Sequence, residues 1–132
     1  MKVVDAGLYS KLSADTALVA LLSAGTPIFQ EGNVPPGTSR PYVTFWGTGG
    51  PDNITPSDLR TFVYGVKGIA DTLERAADID ARIDALLHNN SITVSGYTNI
   101  WLAREAEVRY PEAAPNGNRI HHYGAYYRIR ID

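Results

Sequence analysis

The residues of this chain best suited to metal binding are its three histidines, because it contains no cysteine. Two of them, His121 and His122, are adjacent in a segment whose alternating apolar residues predict a β-strand. Neighbouring strand residues point to opposite faces of a sheet, so these two imidazole rings cannot easily chelate one metal ion. His88 stands alone at the end of a predicted helix, where the helix dipole favours a cation. The histidines therefore predict no metal site.

Other residue types that could support chemistry lack the required context. Asp78, Asp80 and Asp84 resemble a carboxylate cluster, but they diverge around a helix and predict a solvated face rather than a calcium or magnesium site. Residues 47–50 (GTGG) follow a strand as a phosphate-binding turn would, yet a proline and Asp52 come next instead of a helix with a lysine. No nucleophile-elbow sequence is present. The sequence thus predicts no catalytic residue, no metal and no cofactor.

Length and composition predict one domain over residues 1–132. The apolar content of 44% is typical of a globular protein with a core. A net charge of −2 argues against a domain that grips nucleic acid through its phosphates. No apolar run approaches the roughly 18 residues that a membrane span needs, and the N-terminus does not resemble a secretion signal. We therefore expect a protein that is made and used in a cytoplasm.

The central element is residues 59–87, which predict a strand followed by a long amphipathic helix. Phe62, Tyr64 and Val66 alternate on one strand face, and Gly68 is expected to break the strand. From there helical spacing begins, with the apolar stripe Ile69, Leu73, Ala76, Ala77, Ile83, Leu86 and Leu87. The opposite, solvated face is expected to carry Asp71, Glu74, Arg75, Asp78, Asp80, Arg82 and Asp84. Such a helix must pack its stripe on a sheet.

The remaining segments predict the rest of an α+β fold. Two short helices over 3–12 and 16–22, the second capped by Ser13 or Asp15, come first. Strands are predicted at 28–30, 42–47 and 91–94, and a long hairpin pairs 99–110 with 120–132. In the hairpin, Glu105 or Glu107 can face Arg128 or Arg130 across the strands. We expect an antiparallel or mixed β-sheet with one long amphipathic helix packed on it and an N-terminal helical segment.

The hairpin alternates clearly enough to assign faces. Ile100, Leu102, Arg104, Ala106 and Val108 are expected on one face of its first strand. The second strand is expected to direct Tyr123, Ala125, Tyr127, Ile129 and Ile131 to the core, and His122, Tyr126, Arg128 and Arg130 away from it. Several aromatic residues lie on strand faces that one helix cannot cover, which fits burial by a neighbouring subunit, whereas for any single aromatic residue ordinary core packing is the favoured interpretation.

The order of these parts resembles the tail-completion, or tail-terminator, proteins of long-tailed bacteriophages and related prophage elements. The resemblance covers nearly the whole chain, from LYSKLSADTALVALL at the start to HHYGAYYRIRID at the end. Its most telling parts are RPYVTF in the second strand and the passage from FVYGVKG into the helix ADTLERAADIDARIDALLH.

The resemblance implies a non-enzymatic structural protein of the virion tail or neck, assembled in the bacterial host cytoplasm. Members of this family form a ring, usually a hexamer, at the head-proximal end of the tail tube. The ring stops tube growth and joins the tail to the head. Its implied partners are other copies of itself, the tail tube protein and the head–tail connector proteins. DNA would pass through the lumen without specific binding, and no membrane is involved.

Two loops are expected to supply the subunit contacts, because they are longer than their connections require. They span residues 33–40 and 49–57. The predicted interface residues are Asn33, Pro35, Pro36, Arg40, Gly49, Pro51, Asp52, Asn53 and Pro56.

A different class of protein fits the same composition and pattern. A ligand-binding or enzymatic α+β domain of a mobile element would have a pocket between the helix and the sheet. A plain dimeric binding module is a third reading. The oligomeric state separates them, since the structural reading requires a ring and the enzymatic reading is satisfied by a monomer.

Overall fold

The computed structural model describes residues 1–48 and 60–132 as one sheet with helices on one side. The helices are α1 (Lys2–Ser13), α2 (Thr16–Val19) and α3 (Leu73–Leu87). The strands are β1 (Ile28–Gln30), β2 (Tyr42–Gly47), β3 (Arg60–Ala70), β4 (Asn99–Ala113) and β5 (Arg119–Ile131). The α+β fold predicted from the sequence is confirmed. Across these described ranges, no helix is both long and apolar enough to span a bilayer.

The sheet is mixed and open, with the strand order β1-β2-β3-β5-β4. β1 pairs with β2 in parallel, whereas the other neighbouring strands are antiparallel. β4 and β5 form the long hairpin that the alternating pattern predicted. The open sheet has two edge strands of different length. β1 forms one edge with three residues, and β4 forms the other with fifteen.

The passage from β3 into α3 differs from the prediction at Gly68. The strand continues through Gly68 to Ala70, so Ile69 belongs to the sheet and not to the helical stripe. Gly68 is needed for packing, since a Cβ there would lie 2.5 Å from Cγ2 of Ile79 on α3. The helix begins one turn later, where the Thr72 hydroxyl accepts a hydrogen bond from the Arg75 backbone at 3.2 Å.

The N-terminal helices agree with the sequence in place and capping. Asp15 caps α2 by accepting a hydrogen bond of 2.8 Å from the Leu18 backbone. The second helix ends at Val19, earlier than the predicted 22, and Leu18 is its buried residue. Arg82 of α3 donates two hydrogen bonds of 2.8 Å to the Asp15 carboxylate, which ties α2 to α3. These bonds lower the pKa of Asp15.

The predicted strand at 91–94 is wrong. Only an isolated bridge between Val94 and Tyr97 forms there. The Ile92 backbone N–H instead donates to the Asn99 side chain at 2.9 Å, which replaces a strand ladder by a local side-chain bond. Ile92 and Val94 are nevertheless buried in the core, so the segment contributes apolar surface without joining the sheet.

Two irregularities in β4 overturn part of the predicted face assignment of that strand. Leu102 and Arg104 share a face as predicted, whereas Ala106 and Val108 lie on the other face. The register with β5 shifts between Asn99 and Trp101 and again between Arg104 and Ala106. Each shift inserts an unpaired residue, and an extra residue moves every following side chain to the other face. Leu102 therefore lies in the core, whereas Ile100 is 47% exposed. The assignment of the core face of β5 is confirmed for Ala125, Tyr127, Ile129 and Ile131, which are buried.

Candidate interaction surface

The three helices lie on the same side of the sheet. Ile79 of α3 contacts β3 at Gly68, and Asp5 of α1 accepts a hydrogen bond from the Tyr64 hydroxyl on that same strand face. Residues one position along, such as Lys67, therefore point away from the helices. We call this side the outer face and define it by the strand residues Phe29, Tyr42, Thr44, Trp46, Lys67, Ile69, Tyr110, His122 and Tyr126.

Lys67 lies at the centre of the outer face and is 5% exposed. Its ammonium donates a hydrogen bond of 2.6 Å to the Tyr110 hydroxyl and lies 3.6 Å from a Glu31 carboxylate oxygen. It also lies 5.2 Å from the centre of the Trp46 ring and 5.1 Å from that of Tyr110. Cation–π contacts and one half-exposed carboxylate thus stabilise this buried charge.

Two glycines make this arrangement possible. A Cβ at Gly124 would lie 2.5 Å from the Lys67 Cα, so the missing side chain leaves space for the lysine beside β5. A Cβ at Gly65 would lie 2.1 Å from the Trp46 ring, which therefore rests directly on the β3 backbone. The indole then packs edge-on against Tyr126, with the ring centres 5.9 Å apart.

His122 extends the cluster towards the β4 edge. Its ring stacks on Tyr110 with the centres 4.4 Å apart, and its Nε2 lies 2.6 Å from a Glu112 carboxylate oxygen. Burial lowers the pKa of His122, while the Glu112 carboxylate opposes that shift. Nδ1 of His122 and Oγ1 of Thr44 are buried without a hydrogen-bond partner among the described residues.

The two adjacent histidines lie on opposite faces, as the strand alternation predicted, because His122 pairs with Ile69 and His121 with Ala70. Within residues 1–48 and 60–132, no group of three or more His, Asp or Glu side chains could hold a metal ion.

The expectation of a fully solvated acidic face on α3 is wrong for Asp80, which is 7% exposed. Its carboxylate receives two hydrogen bonds from Arg104 of β4, at 3.0 and 3.1 Å. Arg104 also lies 3.6 Å from Asp84. Burial raises the pKa of Asp80, and the Arg104 guanidinium offsets part of that rise. This group fastens α3 to the sheet. The predicted cross-strand pair is confirmed between Arg128 and Glu105, at 2.5 Å.

The predicted interface residues fall into three places. Asn33, Pro35, Pro36 and Arg40 are exposed. Asn33 lines a groove of about 550 Å³ between α1 and β1, whereas Arg40 lines a separate groove of about 400 Å³ at the other end of the sheet. The structure therefore does not bring Asn33 and Arg40 to one site. Five further predicted contacts lie outside the described residues: Gly49, Pro51, Asp52, Asn53 and Pro56.

The groove at Arg40 contains residues that the sequence did not single out. Arg40 bonds Asp71 through its Nε at 2.6 Å, and the opposite wall is the β4–β5 turn with Asn116, Asn118 and Arg119. We call this the arginine groove. The Asn116-Gly117 turn marked the hairpin tip in the sequence, but its approach to Arg40 depends on the order of strands in the sheet.

Exposed apolar side chains mark two further regions. Ile100 and Trp101 at the start of β4 are 47% and 40% exposed, and Tyr9 on α1 is 42% exposed. Along the rest of β4, charged residues, the bulge near Glu105 and Pro111 protect the edge from pairing with another strand.

Comparison with solved structures finds the same fold in other proteins. One similar chain comes from a structure described as the virion of a native gene transfer agent particle. The TM-score is 0.67 at 22% identity, over 97% of this chain and 93% of that chain. A second solved chain has a TM-score of 0.62 at 13% identity, over 99% of this chain and 94% of that chain. No protein-family model and no curated protein matches the sequence. The similarity shows a shared fold over nearly the full length.

Proposed function

We propose that this chain is a non-enzymatic structural subunit of a phage-like virion. The observation that carries the proposal is the match to a chain of a gene transfer agent virion, which extends over 97% of this chain and 93% of that one. Matching of both chains almost end to end means that the whole domain, rather than a common substructure, is shared. The sequence resemblance to tail-terminator proteins independently favours the same class.

Within that class, the proposed role is that of a tail terminator. Copies of the chain form a ring at the head-proximal end of the tail tube, stop its growth and provide the surface that joins the connector. An open sheet with two unlike edges suits a ring, because a closed circle is built from two different surfaces that meet head to tail. The net charge of −2 suits a lumen through which DNA slides, since a basic lining would retain phosphates.

The oligomeric state tests this proposal. Size-exclusion chromatography with light scattering and negative-stain microscopy should find rings of about six subunits, or rings that form when purified tail tubes are added. Tubes capped by the protein should stop elongating. A monomer that neither self-assembles nor caps tubes at any concentration would overturn the proposal and favour the ligand-binding alternative.

Deleting residues 50–56 gives a second test, because it removes the predicted interface loop between β2 and β3. The variant should retain the circular dichroism spectrum of the wild type but fail to form rings. Normal ring assembly after the 50–56 deletion would remove this loop from the interface.

A further inference from the structure

Two neighbouring grooves at the hairpin end of the sheet share cationic side chains. The arginine groove, of about 400 Å³, and a second groove of about 360 Å³ are both lined by Arg119 and His121. Arg40 lines the first groove and Arg109 the second. Asp71 is the one carboxylate among the described residues that line them. We call Arg40, Arg109, Arg119 and His121 the basic end.

The guanidinium groups of the basic end keep free hydrogen-bond donors. Arg40 binds Asp71 through its Nε at 2.6 Å, which leaves its two terminal nitrogens without a partner among the described residues. Arg119 is exposed and has no hydrogen bond or ion pair within that part of the chain. Arg109 is also exposed, and its guanidinium lies 5.2 Å from the centre of the Tyr123 ring. Such donors suit an external oxyanion, because the planar guanidinium fork binds carboxylates and phosphates.

The three arginines are spread along the surface rather than gathered round one point. Arg109 pairs with Tyr123, four residues along β5 from Arg119, so the two arginines lie about 13 Å apart in the strand direction. Arg40 precedes β2, which β3 separates from β5, so it lies about 10 Å from β5 across the sheet. Separated cations suit a polymer with repeating negative charge better than a single small ion.

The proposed function brings one such polymer to the chain, namely the DNA that passes through the ring. Arginine and asparagine side chains are common phosphate contacts, and Asn116 and Asn118 lie beside Arg119 in the arginine groove. The net charge of −2 argues against one subunit gripping DNA by itself. A ring, however, repeats the basic end on every subunit, and linked weak contacts together bind far more tightly than each one alone.

We propose that the basic end contacts the DNA backbone, with Arg40, Arg109 and Arg119 of each subunit binding phosphates without reading bases. The inference rests on the proposed function, because the ring supplies the repetition. The basic end is confined to the starts of β2 and β5. It therefore steadies DNA locally and does not amount to the basic lining that would stop DNA from sliding.

DNA binding by the assembled protein tests this contact. The probe is a fluorescent duplex of mixed sequence, about 30 base pairs and hence about 100 Å long, followed by fluorescence anisotropy. Binding should weaken steeply between about 50 and 200 mM salt. Arg109→Gln/Arg119→Gln should weaken binding about tenfold or more and make the salt dependence shallower, because phosphate contacts are lost. Arg109→Lys/Arg119→Lys should retain most of the binding, because lysine keeps the charge that phosphates attract.

Two controls make the test specific. Arg60→Gln removes an exposed arginine at the opposite end of β3 and should bind DNA like the wild type, with an unchanged circular dichroism spectrum in every variant. An equal loss for Arg60→Gln would reveal general attraction and contradict the assignment. Fluorescent polyglutamate repeats negative charge without phosphates and should bind more weakly than DNA. Tighter binding of polyglutamate would overturn DNA as the partner in favour of an acidic protein surface.

Light scattering on the same samples separates this inference from the proposed function. Rings that bind no DNA, or that bind it equally well without Arg109 and Arg119, would overturn the inference and leave the ring intact. Monomers that bind DNA through these arginines would support the contact and overturn the ring. Monomers that bind no DNA would overturn both proposals.

Discussion

The two faces of the sheet stabilise a positive charge by different means. On the helix side, Arg104 lies under α3 and is neutralised by two hydrogen bonds from its guanidinium to the buried carboxylate of Asp80. On the outer face, Lys67 is enclosed by the rings of Trp46 and Tyr110, and its nearest carboxylate, on Glu31, is 48% exposed. One cation depends on a buried partner, whereas the other depends on aromatic packing. The two sites should therefore respond differently to loss of charge.

Substitution of each cation by methionine should show the largest difference. Arg104→Met leaves the Asp80 carboxylate buried and unpaired, which should cost about 3 kcal/mol in the free energy of unfolding. Lys67→Met should cost about 1 kcal/mol or less, because its hydrated carboxylate partner tolerates the loss and a thioether packs well on aromatic rings. Urea denaturation monitored by circular dichroism measures both.

Two controls sharpen this test. The double variant Arg104→Met/Asp80→Leu should recover most of the lost stability, since it removes the unpaired charge. Lys2→Met changes an exposed lysine on α1 and should alter stability by less than about 0.5 kcal/mol. Equal losses for Arg104→Met and Lys67→Met would show that the two faces do not differ in the way proposed.

The two glycines of the outer face should also differ, by a smaller amount. Gly124→Ala places a methyl group 2.1 Å from the Val66 carbonyl oxygen, where only the backbone can move, and should cost about 3 kcal/mol. Gly65→Ala meets the Trp46 ring, a half-exposed side chain that can swing aside, and should cost about 1 kcal/mol.

Thermal unfolding of both alanine variants tests whether Gly124→Ala loses more stability than Gly65→Ala. Tryptophan fluorescence tests whether the Trp46 ring moves. The Gly65→Ala spectrum should shift because the indole leaves its contact with Lys67, whereas Gly124→Ala should lower the melting temperature further. A greater loss for Gly65→Ala would mean that Trp46 cannot move.

The smallest effect should come from protonation of His122. Its pKa in the folded protein lies below the ordinary value of 6.5, so below that pH the unfolded chain binds the proton more readily. The contribution of neutral His122 to the free energy of unfolding is therefore fully present above pH 6.5. It is lost as the pH falls through the pKa of His122 in the folded state. The positive charge of Lys67 on the same face makes protonation of His122 less favourable, whereas the carboxylates of Glu112 and Glu31 make it more favourable.

Denaturation curves between pH 5 and 8, which bracket the ordinary histidine pKa, measure this dependence. His122→Asn should flatten the slope of stability against pH below 6.5. His121→Asn should retain it and serves as the matched control. An unchanged slope in His122→Asn would assign the acid sensitivity to another group.

Local pattern was enough to predict most of the elements. Helical spacing placed α3, and two-residue alternation identified β5 with Ala125, Tyr127, Ile129 and Ile131 on the core face. The Asn116-Gly117 pair located the hairpin turn. These predictions depend on residues that are near one another in sequence, so one chain is sufficient to make them.

Two features could not be predicted in the same way: the bulges in β4, and the arrangement that places Arg40 and Arg119 in one groove. The inserted residue near Arg104 reverses the faces of the following positions, and nothing in the alternating pattern marks it. Arg40 and Arg119 are separated by most of the chain. They line one groove because the strand order places the start of β5 one strand away from the start of β2, across the end of β3.

By itself, the sequence determined that the chain forms an α+β domain, with a long amphipathic helix on a sheet and a terminal hairpin. Tertiary structure alone decided which charged residues are buried. Helical periodicity put Asp80 on the polar face of α3, and Lys67 lies next to the alternating strand residue Val66 without being assigned to a face, yet both lie below 10% exposure. The reason is that burial of a charge depends on the partner that stands opposite it. Those partners, Arg104 and Tyr110, come from a distant strand.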